Sequence, residues 1–155
     1  MADINLNLGS GREKIYINKE LYGEDRVIYI DTADDLILPR IRKASRELIA
    51  QMKVMQDKED KLAEMEKNGD DVTDERIDMR ERCEKVIRDQ IDYIFGYSVS
   101  DIVFGTASAM APYGDTTYVE AFLSAITPVI SERLKSAKEK SQNRIKAYTH
   151  KYTSR

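Results

Sequence analysis

A mainly α fold with a small antiparallel β element at its start is predicted by three features of this sequence. Apolar residues alternate two apart through much of the first thirty positions, they recur every three or four from residue 32 onward, and all seven glycines fall at breaks between segments. The 155 residues suit a single domain. A chain of that length buries roughly 68–70% of its unfolded surface, enough for a core. With 41% apolar and 34% charged residues, that core is modest and the helix surfaces are strongly charged.

Taken in order, Ile4, Leu6 and Leu8, then Ile15 and Ile17, then Val27-Ile28-Tyr29-Ile30 suit three short strands with one buried face. Gly9-Ser10-Gly11 and Tyr22-Gly23-Glu24-Asp25 read as the turns between them. Thr32 and Asp35 have the spacing of a partial capping box, and Pro39 belongs in the first turn of the next helix. That helix carries Ile41, Ala44, Leu48, Met52, Met55, Leu62 and Met65 on one stripe, and Gly69 supplies the left-handed residue that ends it. A second helix starts near Thr73 and carries Met79, Cys83, Val86 or Ile87, Ile91 and Ile94 to Phe95-Gly96. Two long helices joined by about five polar residues form an antiparallel hairpin.

Beyond Gly96, Ser98 or Ser100 caps a short helix through Phe104, and residues 106–115 read as a loop. Thr117 and Glu120 have capping-box spacing at the head of a third long helix, with Val119, Phe122, Leu123, Ile126, Val129, Ile130 and Leu134 on its stripe. Pro128 is expected to kink or restart that helix. The expected organisation is one domain over residues 1–134, made of a β element (1–31), a helical hairpin (32–97) and a short helix with the third helix (98–134). A basic C-terminal extension (135–155) completes the chain.

Charge is distributed unevenly. Residues 133–155 hold Arg133, Lys135, Lys138, Lys140, Arg144, Lys146, Lys151 and Arg155 against Glu139 alone, so this tail is +7 within a chain of net −3, and the rest is −10. The tail is expected to be a protruding helix that docks onto an acidic partner or a neighbouring copy. An acidic body argues against a nucleic-acid-binding role.

No run of about eighteen apolar residues is present, and the N-terminus lacks the basic and apolar regions of a signal peptide, so a cytoplasmic protein without a membrane span is expected. One cysteine and one histidine leave too few soft ligands for zinc, and no metal, cofactor or catalytic residue is expected. Gly9-Ser10-Gly11-Arg12 lacks the lysine and the adjoining helix of a phosphate loop and reads as a hairpin turn. Asp70, Asp71, Asp74 and Asp78 are in the wrong order for a calcium loop and suit the start of a helix. Cys83 lies on an apolar stripe and is expected to be buried, and His150 lies in the basic tail with nothing to bring it near the thiol. Met52, Met55 and Met65 are either core residues or an adaptable peptide-binding stripe. Phe95, Phe104 and Phe122 either close the core or form apolar surface for a partner.

Ile91-Asp92-Tyr93-Ile94-Phe95-Gly96 followed by Ser100-Asp101-Ile102-Val103-Phe104-Gly105 places two Phe-Gly pairs nine residues apart. With the β-rich start Ile4-Asn5-Leu6-Asn7-Leu8 through Lys14-Ile15-Tyr16-Ile17-Asn18, the charged hairpin and the capped apolar helix, this order resembles the tail assembly chaperones of long-tailed, siphovirus-type phages and prophages of Gram-positive bacteria. The likeness covers about fifteen residues well and the order of elements over residues 1–134, and it stops at the basic tail. It implies a non-catalytic protein of the host cytoplasm. Such a protein would bind the tape measure protein and tail tube protein during assembly and leave before the virion matures. Candidate partner-binding residues are Phe95, Phe104, Phe122, Met52 and Met55, with Lys138, Lys140, Arg144 and Lys146 of the tail. The alternatives are another phage morphogenesis component, such as a scaffold or tail-completion protein, and a nucleic-acid-binding helical module.

Overall fold

The structure is a computed structural model that describes residues 3–6 and 11–153. It is mainly helical, with β1 (Arg12–Tyr16), α1 (Lys19–Tyr22), β2 (Val27–Asp31), α2 (Ile37–Lys67), α3 (Thr73–Phe95), α4 (Ser100–Phe104), β3 (Pro112–Tyr113), β4 (Thr116–Thr117) and α5 (Tyr118–Thr153) in chain order. The expected fold class holds: a small antiparallel β element, a long helical hairpin and a third long helix. No helix among the described residues is long and apolar enough to cross a membrane. Two compact units are present, Leu36–Thr127 and a second built from the chain up to Asp35 together with the chain from Pro128.

In the second unit, β1 and β2 pair antiparallel with Glu13 opposite Ile30 and Ile15 opposite Ile28. These four share one face because side chains alternate along a strand. Ile28 and Ile30 on that face are buried, and Glu13 forms an ion pair with Arg133 of α5 at 3.3 Å. Ile130 of the same helix is also buried. The expected first strand is corrected: Ile4 and Leu6 are exposed without regular structure, and Leu8 lies outside the described residues. One helical turn, α1, interrupts the β1–β2 connection, with Asn18 in the left-handed region at its head.

Gly9 and Ser10 of the glycine-rich stretch lie outside the described residues. Gly11 is placed by a close approach: its carbonyl accepts hydrogen bonds from both the amide and the hydroxyl of Thr32, each at 3.0 Å. A Cβ at residue 11 would collide with the Thr32 hydroxyl. Thr32 therefore does not cap α2, which starts later, at Ile37, with Pro39 in its first turn.

In the larger unit, α2 and α3 pack along each other as an antiparallel hairpin. Ile37, Ile41, Ala44 and Leu48 of α2 and Cys83, Ile87, Ile91 and Ile94 of α3 are buried. Gly69 and Gly96 both adopt positive φ at the helix ends, as the sequence predicts. At the base of the hairpin, Arg40 Nε donates to the carbonyl of Ile94 at 2.9 Å. Residues 106–115, expected as a loop, hold β3 and lead through a two-residue turn at Gly114 into β4.

The Thr117 hydroxyl accepts from the amide of Glu120 at 3.4 Å, so half of the expected capping box forms. The Glu120 carboxylate accepts instead from the Thr116 hydroxyl. Pro128 neither ends nor restarts α5, which is one helix in which the change of compact unit falls at that proline. The carbonyl that proline leaves without its helical donor is that of Ser124, an exposed residue.

If the hairpin seam is the core, Leu48→Ala and Ile91→Ala should each destabilise the protein by about 2–5 kcal/mol. Urea unfolding checks this, and losses under about 1 kcal/mol at both positions would contradict it.

Candidate partner-binding surface

The apolar stripe of α2 changes character after Leu48. Met52, Met55 and Leu62 are half-buried and Met65 is 41% exposed, and Met79 facing this region from α3 is half-buried. Ile49, Val54 and Ile77 add exposed apolar surface to the same hairpin. Two positions of the stripe are Glu59 and Glu66, and both are held by Arg76 of α3. Arg76 forks onto Glu59, with Nε 3.1 Å from one oxygen and Nη2 2.8 Å from the other, while Nη1 lies 2.7 Å from Glu66. These carboxylates, Glu59 first, push the guanidinium pKa above its ordinary value. Val72 is buried at the turn of the hairpin, and the distal hairpin also has a cavity of about 320 Å³ whose lining includes Leu62, Met65, Met79 and the side chains of Lys58, Lys61 and Arg82.

At the turn of the hairpin, Asp71 accepts from the Thr73 hydroxyl at 2.7 Å and from its amide at 3.1 Å, and these bonds hold its carboxyl below the usual range. That is the helix-start role expected for this acidic stretch. The described residues contain no group of three or more histidine, cysteine or acidic side chains placed to hold a metal ion.

A polar ridge runs along α3 beside its apolar seam. Glu84, Arg88 and Asp92 stand four apart and therefore share one helix face, and together they bind the segment after Gly96. Asp92 accepts from the amides of Val99 and Ser100 at 2.9 and 2.7 Å, which caps α4 from a neighbouring helix instead of from Ser98 or Ser100. Arg88 donates to Glu84 at 3.0 Å, to Asp101 at 2.8 Å, and to the carbonyls of Gly105 and Ala107 at 3.0 and 2.9 Å. Glu84 in turn accepts from the Ser108 hydroxyl at 2.9 Å and the Ala109 amide at 2.8 Å. The groove here, about 650 Å³, is lined by Glu84, Arg88, Asp92 and Asp101, whose hydrogen bonds hold the α4 segment, and also by Arg80, Glu81, Lys85 and Asp89 of α3.

Beneath that segment lie the phenylalanines. Phe104 is 1% exposed and Phe122 is 8% exposed, so of the two alternatives the sequence leaves open, these two close the core of the larger unit. Phe104 meets Tyr118 edge-on at 5.2 Å and Phe122 at 6.2 Å, and Phe95, half-buried, lies 6.2 Å from Phe122. Val103 and Val99 are buried with them, because the Asp92 and Arg88 bonds draw α4 down onto α3. Of the sequence candidates in this unit, Met52, Met55 and Phe95 thus present surface. Lys138, Lys140, Arg144 and Lys146 are all exposed on α5.

Cys83 is buried as expected, with its thiol 3.4 Å from the sulfur of Met110. Sequence reasoning overlooked Arg76 and the Glu84, Arg88 and Asp92 ridge. The four-residue spacing of that ridge was a visible signal, but its partners lie beyond a glycine turn whose geometry the spacing does not specify. The chain matches no family model, no curated protein and no solved structure.

Removing the central donor of the polar ridge with Arg88→Met should cost about 1–3 kcal/mol, the range for a lost set of partly buried hydrogen bonds. Amide hydrogen exchange should localise the loss to residues 99–109 and leave the α2–α3 seam protected; uniform loss would contradict a local clamp. Burial also raises the Cys83 thiol pKa. The folded state then holds a proton that the unfolded chain releases, so this contribution to stability is complete below about pH 8.5 and declines as pH rises through the raised folded value. Cys83→Ser should flatten that alkaline decline in urea-unfolding measurements, and an unchanged slope would show that the thiol has no part in it.

Proposed function

We propose that this chain is a non-catalytic tail assembly chaperone of a long-tailed phage or prophage. It binds the tape measure protein in the host cytoplasm while the tail tube protein polymerises around it, and it leaves before the virion is mature. The observation that carries the reading is the distal hairpin. Half-buried methionines at 52, 55 and 79 and exposed apolar residues at 49, 54, 65 and 77 lie among charged side chains on two helices that run side by side. Helix-in-groove recognition needs such an apolar track, and methionine adapts to partners of irregular sequence. A tape measure protein, long and helical, presents many similar apolar stripes in succession. The flanking charges keep the coated complex dispersed. The order of elements and the paired Phe95-Gly96 and Phe104-Gly105 turns support the same reading.

The exposed basic helix at the C-terminus favours a second reading, a scaffold or tail-completion component that stays attached to the tube. Mass spectrometry of purified virions separates the two, because a chaperone is absent from them and a structural component is present.

Co-expression with the tape measure protein tests the first reading. The wild-type chain should keep that protein in the soluble fraction, whereas Met52→Lys/Met55→Lys, checked for native helicity by circular dichroism, should lose about tenfold or more in affinity as roughly 1–2 kcal/mol of apolar contact is removed. Equal solubilisation by the folded double variant would remove this surface from consideration.

A further inference from the structure

We propose that the C-terminal half of α5 is a docking element for the body of a second copy of this chain. Ile130, Leu134, Ala137, Ser141, Ile145 and Tyr148 succeed one another at steps of three and four, which places them on one helix face. The near end of this row is covered, with Ile130 buried and Leu134 and Ala137 half-buried. The far end is open, with Ile145 61% and Tyr148 66% exposed. The apolar row therefore runs on from buried into exposed positions. Beside it Arg133, Lys140, Arg144 and Lys151 recur at steps of seven, four and seven, a second line along the same helix. All four are exposed, and Arg133 anchors the near end of the line on Glu13.

The complementary charge is carried by the chain itself. Residues 96–127, all in the larger unit, contain Asp101, Asp115 and Glu120 and no lysine or arginine; all three acids are exposed, and Asp115 and Glu120 have no basic partner in that segment, whereas Asp101 is paired with Arg88. Two tails laid together would set basic lines against each other, so a symmetric tail-to-tail dimer is disfavoured and the contact is heterologous, the tail of one copy on the acidic body of another. The same acidic body repels nucleic acid and anionic membranes. The exposed stretch 141–151 is about 16 Å long, too short to reach the roughly 800 Å² per partner of a stable interface. The association is accordingly weak, concentration-dependent and salt-sensitive.

Sedimentation velocity on the nuclease-treated full-length chain tests this at about 0.02 and 0.5 M salt, where screening differs strongly. The average mass should rise by about twofold or more with concentration at low salt and return to that of a monomer at high salt, as mass action on a charge-driven contact requires. Lys140→Gln/Arg144→Gln/Lys151→Gln should stay monomeric alone at low salt, yet co-sediment with fluorescently labelled wild-type chain, because its body still accepts a wild-type tail. Self-association of the triple variant equal to wild type would overturn the proposal. So would failure of the variant to co-sediment with wild type, a wild-type chain monomeric throughout, or an association present only before nuclease treatment, which would assign the tail to nucleic acid.

Discussion

Two charged helices stay side by side in this protein because one face of each is apolar over a limited length. Ile41, Ala44 and Leu48 of α2 and Cys83, Ile87, Ile91 and Ile94 of α3 supply that length and are buried. Where it ends, toward the turn of the hairpin, burial gives way to half-exposed methionine and to the Arg76 fork on Glu59 and Glu66. Such a fork sits near solvent, where ion pairs contribute modestly, so it fixes the alignment of the helices more than it stabilises them. The distal hairpin consequently carries half-exposed apolar surface, with Val72 buried at its turn.

The helix that supplies half of the seam, α3, also organises the α4 segment. Turning from Ile87 and Ile91 to the neighbouring face brings in Glu84, Arg88 and Asp92, whose bonds run to backbone groups after the Gly96 turn. With α4 held in this way, Phe104 is carried into the core against Tyr118 and Phe122. A modest apolar content thus suffices for the unit, because polar side chains satisfy the backbone of an irregular segment that would otherwise stay in water. The functional proposal depends on this arrangement, since closing the phenylalanine cluster leaves the methionine half of the hairpin as the larger apolar opportunity for a partner.

Much of this was legible in the sequence. Helical periodicity placed α2, α3 and α5, and the positive-φ glycines at 69 and 96 marked where two of them end. Burial at Ile41, Leu48, Cys83, Ile91 and Ile130 followed from stripe position alone. The features that were not legible depend on contacts distant in sequence. Thr32 has the composition and spacing of a helix cap, but the carbonyl of Gly11, twenty-one residues earlier, takes its hydroxyl. The cap of α4 comes from Asp92, eight residues before Ser100, across a turn. The turn at Asn18 and the β3–β4 pair are too short to carry a periodic signal. Phe104 could be read as surface or core from sequence, and only the position of α4 against α3 decided it. Pro128, which the sequence marks as a break, lies on an exposed side of α5, and the helix continues through it.

Amide hydrogen exchange along α2 in the isolated chain bears most directly on the claim that a rigid base carries an adaptable distal half. Protection should be highest around residues 41–48, with the matching plateau at 83–94 in α3, and should fall stepwise beyond Met52 toward Lys67 as burial gives way to half-exposed methionine. Protection that stays uniform from Ile41 to Lys67 would contradict it, because the distal hairpin would then be as firmly packed as the base and would hold no surface in reserve for a partner.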